Sequence, residues 1–380
     1  MPVNKATLLL ATAHCNRALW YLILFLSVCK PINSAIFENV SLILKWHSHM
    51  EDKEIVRISY DDYLRSYVGE FGEVVIQNQN IPVLGKLSVS NLPKVTHLYL
   101  TNCRIRKIQV GSFQNLPVLT DLNLSDNLLE EIDNGIFDKL SFKSLYLEGN
   151  RIVRIGDRAF NNLHMEYLFI DNNRIFEWKS EWFRGTPLGS VSITNNRLEN
   201  LPGLAFEYLW HFGKDVVLVN FIASSNKIAK IDPDAFKGVK MIVTLNLQNN
   251  SLTHLEPGLF DTVENIDQID LGQNKLSQIY YEVFRKTKIT NLNVYDNFLT
   301  CVSTDIFATS ELKVLNVRNN PISCPCVRKW SVWKVKSRFP EITNFGNLKT
   351  RCVKSVSAAT QPIQLYILLF FILFHSCKIK

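Results

Sequence analysis

The stretch SLYLEGNRIVRI, residues 144–155, decides how this chain folds. Apolar residues alternate with polar ones ahead of its asparagine, and this spacing predicts a short strand with one buried face. The same spacing, x-L-x-L-x-x-N-x-L-x-x-L, returns 23 residues later as YLFIDNNRIFEW, residues 167–178. The stretch is therefore one unit of an internal repeat, and the repeat has to be defined before any single element is assigned.

The repeat extends along most of the chain, in steps of 23 or 24 residues with one step of 30. Its asparagine-type position is occupied by Gln79, Cys103, Asn127, Asn150, Asn173, Asn196, Asn226, Asn250, Asn274, Asn297 and Asn320. A phenylalanine follows ten residues after each position from Cys103 to Asn297, at Phe113, Phe137, Phe160, Phe183, Phe206, Phe236, Phe260, Phe284 and Phe307. We therefore count eleven repeats.

Each repeat predicts one coil of a solenoid. The template leucines point inward from a short strand, the residues between them point outward, and successive strands stack in parallel about 4.8 Å apart. The asparagine lies where the chain leaves the strand. Its buried side chain is expected to satisfy backbone groups of neighbouring coils, because buried amides need hydrogen-bond partners.

These motifs resemble the extracellular, typical-length class of leucine-rich repeats found in animal Toll-like and Slit-like ectodomains. The resemblance covers about residues 71–352 and implies an α/β-type leucine-rich-repeat solenoid with capped ends. It further implies a curved parallel sheet on the concave face and an irregular convex side filled by the phenylalanines. Cys103 is similar to the substitute that this family accepts in its asparagine column.

The chain outside the repeats predicts five segments. Residues 1–29 have the charge and apolar run of a secretory signal peptide, with a second cleavage site after Ala35. An N-terminal cap is expected at 30–70, the repeats at 71–320, and a C-terminal cysteine cap at 321–354. Residues 355–380 combine small residues with an apolar run that is shorter than the roughly twenty residues of a membrane span. A lipid-anchor signal and a short membrane segment are the two interpretations of this tail.

The cysteines predict a stapled C-terminal cap. NPISCPCVRKW, residues 320–330, resembles the family's C-terminal flanking cap. Cys301 and Cys324 each follow an asparagine-type position by four residues, so they occupy equivalent places in adjacent coils. Four cysteines allow three pairings, and the register favours Cys301–Cys324 with Cys326–Cys352. Cys103 is predicted to be free and buried.

The outward strand positions predict a ligand-binding surface on the concave face. Aromatic side chains beside carboxylates are suitable interface anchors, and the best patch is Tyr99, Tyr146, Glu148, Tyr167, Phe169 and Asp171. The alternative is that these aromatics simply cover a solvated strand. Glycosylation sequons begin at Asn39, Asn123 and Asn249, and a glycan on Asn123 would obstruct the patch. The inserted residues around 210–215 predict either a binding loop or a tolerated bulge.

Composition and motifs then narrow the function. The net charge is +7, but the lysines and arginines form no continuous run, so nucleic acid is not an expected partner. The sequence contains no HExxH, GxSxG or phosphate-binding glycine loop. We therefore expect no enzymatic activity, no cofactor and no metal site. The resemblance implies a cell-surface protein for adhesion or receptor-type recognition on the extracellular face of the plasma membrane. Its partner would be an extracellular protein ligand or co-receptor, and the C-terminal tail would hold the protein at the membrane.

An alternative interpretation is a secreted or surface-held innate-immune recognition factor. Homodimer and heterodimer formation both remain open.

Overall fold

The computed structural model describes residues 37–46, 53–58, 63–209, 211–212, 215–333, 339–343 and 345–352. Among these residues, one sheet of fifteen strands runs the length of the molecule. Twelve of its strands are parallel and follow chain order. They are Glu73–Gln77, His97–Thr101, Asp121–Asn123, Ser144–Tyr146, Tyr167–Phe169, Ser190–Ser192, Asp215–Ile222, Val239–Asn246, Asn265–Asp270, Lys288–Asn293, Val314–Asn316 and Glu341–Ile342.

The sheet arises from the alternation in the repeat. Leu145 and Leu147 are fully buried on either side of the outward-facing Tyr146. The next strand follows in register, with Ser144 opposite Tyr167 and Tyr146 opposite Phe169. The predicted solenoid of about eleven coils, with its parallel sheet on the concave face, is confirmed.

A left-handed residue turns each coil out of its strand. The residue directly before the asparagine-type position has a positive φ in every coil, a conformation that Asn, Asp and Gly adopt most readily. These residues are Asn78, Asn102, Asp126, Gly149, Asn172, Asn195, Ser225, Asn249, Gln273, Asp296 and Asn319.

The buried asparagines bond one coil to the next. The side-chain amide of Asn173 donates to the carbonyl oxygen of Leu147 in the preceding coil at 3.0 Å and to that of Ile170 in its own coil at 3.1 Å. Its Oδ1 accepts from the Ile152 N–H at 2.9 Å. Cys103 is buried and free, as predicted, and its Sγ lies 3.3 Å from the carbonyl oxygen of Ile76, where the other coils place the amide nitrogen. Burial raises the pKa of the Cys103 thiol to about 11.

The phenylalanines from Phe113 to Phe284 form a continuous buried spine. Phe160 stacks on Phe137 at 6.1 Å and on Phe183 at 5.7 Å between ring centroids. Between Phe183 and Phe206 the ring of Trp178 intervenes, at 5.5 Å from the first and 5.9 Å from the second. The spine thus continues through the one irregular step of the repeat.

The convex side is made of short and irregular elements. Short parallel ladders pair Val83–Leu84 with Lys107–Ile108, Val89–Ser90 with Phe113–Gln114, Glu131–Ile132 with Arg154–Ile155, and Asn200–Leu201 with Lys230–Ile231.

The helices of the described residues are short. The 3-10 helices are Ser180–Phe183 and Tyr281–Val283, and the α-helices are Arg65–Val68, Thr304–Thr309 and Cys324–Trp333. Residues 345–352 are also helical.

The N-terminal end is covered by two antiparallel strands. Val40–Lys45 pairs with Lys53–Ile58 on one side and with Glu73–Gln77, the first strand of the parallel series, on the other. Val40–Lys45 therefore joins the outer strand Lys53–Ile58 to the solenoid.

The insertion lengthens the sheet. His211–Phe212 pairs antiparallel with the start of Asp215–Ile222. This strand and Val239–Asn246 each span eight residues, against three for Tyr167–Phe169. The described part of the insertion therefore extends the sheet at the start of these strands.

The predicted disulfide pairing is wrong. The structure joins Cys301 to Cys326, with Cα atoms 5.5 Å apart, and Cys324 to Cys352, with Cα atoms 5.3 Å apart. The register argument fails because the last coil leaves the repeat path where the helix Cys324–Trp333 begins. Residues two apart in a helix project about 200° apart. Cys326 consequently faces the coil of Cys301, while Cys324 faces the helical segment that ends the described chain.

Two predicted segments lie outside the described residues. They are the signal peptide at 1–29 and the tail at 355–380. Within the described part of the chain, no helix combines the length and apolar character needed to cross a membrane.

Candidate ligand-binding face

The predicted patch lies on adjacent strands of the concave face. Tyr99, Asn123, Tyr146 and Phe169 occupy one row because the four strands pair in register. The rings of Tyr146 and Phe169 stack with centroids 4.9 Å apart and planes inclined by 9°. Asn123 separates this stacked pair from Tyr99. The row therefore presents one paired aromatic platform and, apart from it, the ring of Tyr99, which stacks on His97 with centroids 6.5 Å apart.

Tyr167 lies beside the platform and contacts a cation that the sequence analysis missed. The Nζ atom of Lys143 lies over its ring, 5.7 Å from the centroid. An ammonium at this distance is attracted to the electron-rich face of the ring. The signal for Lys143 is weak in the sequence because its contact crosses from one coil to the next.

The two predicted carboxylates are held in place by hydroxyl groups of neighbouring coils. Ser125 Oγ donates to Glu148 Oε2 at 2.7 Å, and Ser192 Oγ donates to Asp171 Oδ1 at 2.7 Å. Burial raises the pKa of Glu148, and the charge of Asp171 adds to the effect. The Ser125 hydrogen bond acts in the opposite direction. The carboxylates are thus fixed in position and partly removed from water.

Further acidic groups extend along the same face. Burial raises the pKa of Asp270, and burial together with Glu73 and Asp121 raises the pKa of Tyr99. Asp121 also pairs with the ring of His97, with 3.3 Å between Oδ2 and Nε2. The concave face is therefore locally acidic on a chain whose net charge is +7.

Apolar side chains continue the face toward the long strands. Val219 and Met241 are 39% and 38% exposed, on strands Asp215–Ile222 and Val239–Asn246. Neither residue was predicted from the sequence, because the repeat template covers only the last positions of these strands.

The predicted glycosylation sites differ in exposure. Asn39 and Asn249 are exposed, although Asn249 also donates to Ser225 Oγ at 3.1 Å. Asn123 is half-buried, and its Oδ1 accepts from the Ser125 N–H at 2.9 Å. Glycan attachment at all three remains a prediction. Among the described residues, no three His, Cys, Asp or Glu side chains gather as a metal site.

Glu148→Gln should stabilise the fold at neutral pH. Burial holds the folded-state pKa of Glu148 above the ordinary value of a glutamate carboxyl. Its contribution to stability is therefore fully present below that ordinary pKa and is lost as the pH rises through the folded pKa. We expect calorimetry to give the variant a higher melting temperature than the wild type at pH 7 and the same melting temperature at pH 4. Asp138→Asn is a control for net charge because Asp138 is exposed. A variant that melts below the wild type at pH 7 would contradict this expectation.

Comparison with known proteins supports the repeat assignment. A leucine-rich-repeat family model matches residues 93–152 and 218–285. Among curated proteins, no sequence matches this chain significantly. The solved Toll–Spatzle complex of Drosophila contains a chain that superposes with a TM-score of 0.55 at 18% identity, covering 71% of this chain and 38% of that one. Its glycosylated form gives a TM-score of 0.45 at 20% identity, covering 62% and 35%.

At this identity the superposition establishes the fold alone, and the chain spans less than half of the Toll-complex chain that it matches. Both segments of the family match lie within the repeats, and the superposition agrees with the solenoid fold. The chain thus carries segments that match the leucine-rich-repeat model, and its solenoid resembles in fold a chain of the Toll–Spatzle complex.

Proposed function

We propose that this chain is a receptor-type or adhesion-type recognition protein that binds an extracellular protein through its concave face. The observation that carries the proposal is the Tyr146–Phe169 pair, stacked at 4.9 Å beside two hydrogen-bonded carboxylates. Rigid aromatic side chains that are prearranged on a strand lose little entropy on binding, and such residues concentrate the energy of interfaces.

The charge of the face specifies the complementary partner surface. Carboxylates fixed by Ser125 and Ser192 would face lysine or arginine side chains of the ligand. Opposite charges at the rim of an interface speed association and exclude wrong partners more than they add affinity. A protein ligand with a basic, partly apolar surface fits this arrangement best.

The location follows from the same proposal. Two disulfides are typical of oxidising compartments, and the chain resembles an ectodomain in fold. We propose that residues 1–29 direct secretion and that residues 355–380 hold the protein on the outer face of the plasma membrane. Release from cells by a phospholipase that cleaves lipid anchors would support the lipid tether. Spontaneous accumulation in the medium would favour a secreted protein.

The binding experiment compares two matched double variants. Tyr146→Ala with Phe169→Ala removes the stacked pair, whereas Tyr280→Ala with Phe298→Ala removes a tyrosine and a phenylalanine that are 51% and 61% exposed outside the patch. The purified proteins are screened against a panel of secreted and cell-surface ectodomains. Loss of about 2 kcal/mol or more of binding energy is expected only for the first variant.

Equal binding by the wild type and both variants would contradict the concave patch. A ligand that binds the Asn123→Gln variant but not the wild type would show instead that a glycan covers the patch.

A further inference from the structure

A column of cations runs along one side of the solenoid. The residue directly after the asparagine-type position is basic in six coils, and each of these side chains is exposed. This basic column consists of Arg104, Arg151, Arg174, Arg197, Lys227 and Lys275. Its members are separated by at least 23 residues in the sequence, which explains why no run of positive charge is visible there.

Backbone hydrogen bonds align the central members on consecutive coils. The Arg174 N–H donates to the carbonyl oxygen of Ile152 at 2.9 Å, and Ile152 directly follows Arg151. The same bond joins Arg197 to Ile175 at 2.8 Å and Lys227 to Leu198 at 2.9 Å. Coils stack about 4.8 Å apart, so the backbones of the four central basic residues lie in a row about 15 Å long. Arg104 and Lys275 extend it beyond Leu128 and Ser251, which interrupt it.

The column is not neutralised by the rest of the described chain. Elsewhere on the surface, cations have carboxylate partners, as Lys179 has Asp157 at 3.0 Å and Arg285 has Asp261. None of the six column residues lies within ion-pair distance of a described carboxylate. Like charges one coil apart repel, and a bound polyanion would relieve the repulsion while it releases its own counterions.

We propose that the basic column binds a linear sulfated polysaccharide. A chain with regularly repeated anions matches a line of cations with one charge per coil, and the arginine fork can bind anionic oxygens in pairs. The ligand class rests on the proposed extracellular location, where such polysaccharides are the abundant linear polyanions. This surface is separate from the acidic concave face, so the two ligands would not compete for the same side chains.

Nucleic acid fits the column less well. Binding of single strands uses aromatic side chains on which successive bases stack. In the coils of Arg151, Arg174 and Arg197, the next outward positions hold Val153, Phe176 and Glu199, which provide one ring and one negative charge. This part of the column therefore offers a line of charge without a stacking platform.

The experiment measures binding of the full chain to a heparin oligosaccharide by surface plasmon resonance over a range of salt concentrations. The column variant carries Arg151→Gln, Arg174→Gln, Arg197→Gln and Lys227→Gln. The matched control carries Arg158→Gln, Lys313→Gln, Arg328→Gln and Lys349→Gln, which change the same number of exposed cations elsewhere. A milder variant, Arg174→Gln with Arg197→Gln, is included in case the quadruple variant misfolds. Desulfated heparin and single-stranded DNA are the comparison probes.

We expect the column variant to bind heparin at least about tenfold more weakly, with a shallower salt dependence, because fewer counterions are released. The milder variant should lose part of the affinity and the control little, and desulfated heparin should bind poorly. Equal losses in the column and control variants would overturn the proposal, because net charge alone would then explain binding. Absence of heparin binding at physiological salt, or tighter binding of DNA through the column, would overturn it as well.

Discussion

Asn173→Ala is expected to destabilise the solenoid by about 3 kcal/mol, because a buried polar group left without a partner costs about 1–3 kcal/mol and each further hydrogen bond lost costs about 0.5–1.5 kcal/mol. The substitution leaves the Ile152 N–H without its acceptor. It also removes one of two amide donors from the carbonyl oxygens of Leu147 and Ile170, which keep the amides of Asn150 and Asn196. These groups lie in the interior between coils, where water cannot replace the lost amide. The loss should appear as a lower midpoint in chemical denaturation.

Two further variants identify the cause of that loss. Asn200→Ala changes an exposed asparagine and should remain within about 0.5 kcal/mol of the wild type. Asn173→Cys should lose less stability than Asn173→Ala, because Cys103 shows that a thiol can reach the carbonyl oxygen of the preceding coil. If the three variants unfold at the same midpoint, the asparagine does not bond the coils as described.

Phe160→Ala should cost about 3–5 kcal/mol, the range for truncating a fully buried phenylalanine. The ring of Phe160 is fully buried and lies between Phe137 and Phe183 in the spine. Its removal leaves a cavity that the stiff backbone of neighbouring coils closes only in part. Hydrogen exchange should then show faster opening of the coils on both sides, since each coil contacts mainly its neighbours.

Phe176→Ala is the matched control for this substitution. Phe176 belongs to the adjacent coil but is 49% exposed. Its truncation should change the free energy of unfolding by no more than about 0.5 kcal/mol. An equal loss in both variants would mean that the spine does not carry more of the packing energy than the surface.

The two proposed surfaces carry opposite charges. The concave face holds acidic groups such as Glu148 and Asp270, whose pKa values are raised mainly by burial. The basic column holds exposed cations without carboxylate partners among the described residues. A single solenoid thus presents surfaces suited to two ligands of opposite charge, one a protein and the other a polysaccharide.

The repeat was readable from the sequence because its determinants are local. The spacing around Asn150 or Asn173 specifies strand, turn and buried amide within one coil, and the same period places Tyr146 and Phe169 on one face. Repetition then predicts stacking, since each coil can bury its apolar side only against an identical neighbour. For these reasons the fold class, the asparagine column and the phenylalanine spine were all predicted correctly.

Contacts between side chains of different coils could not be predicted from the repeat spacing alone. Cys324 occupies the same repeat position as Cys301, yet it starts a helix, so the bond goes to Cys326 instead. Similarly, Lys143 reaches Tyr167 across a coil boundary. Sequence spacing gives the place of a residue in its coil, but the direction of its side chain depends on the local backbone.

The sequence by itself determined the solenoid, because the alternation of apolar residues and the recurring asparagine act within each short segment. Only the tertiary structure decided which distant residues meet. Stacking places Arg151, Arg174, Arg197 and Lys227, which are dispersed along the chain, in one row that no described carboxylate pairs with. The physical reason is that coil spacing is about 4.8 Å while the chain between equivalent positions is more than twenty residues long.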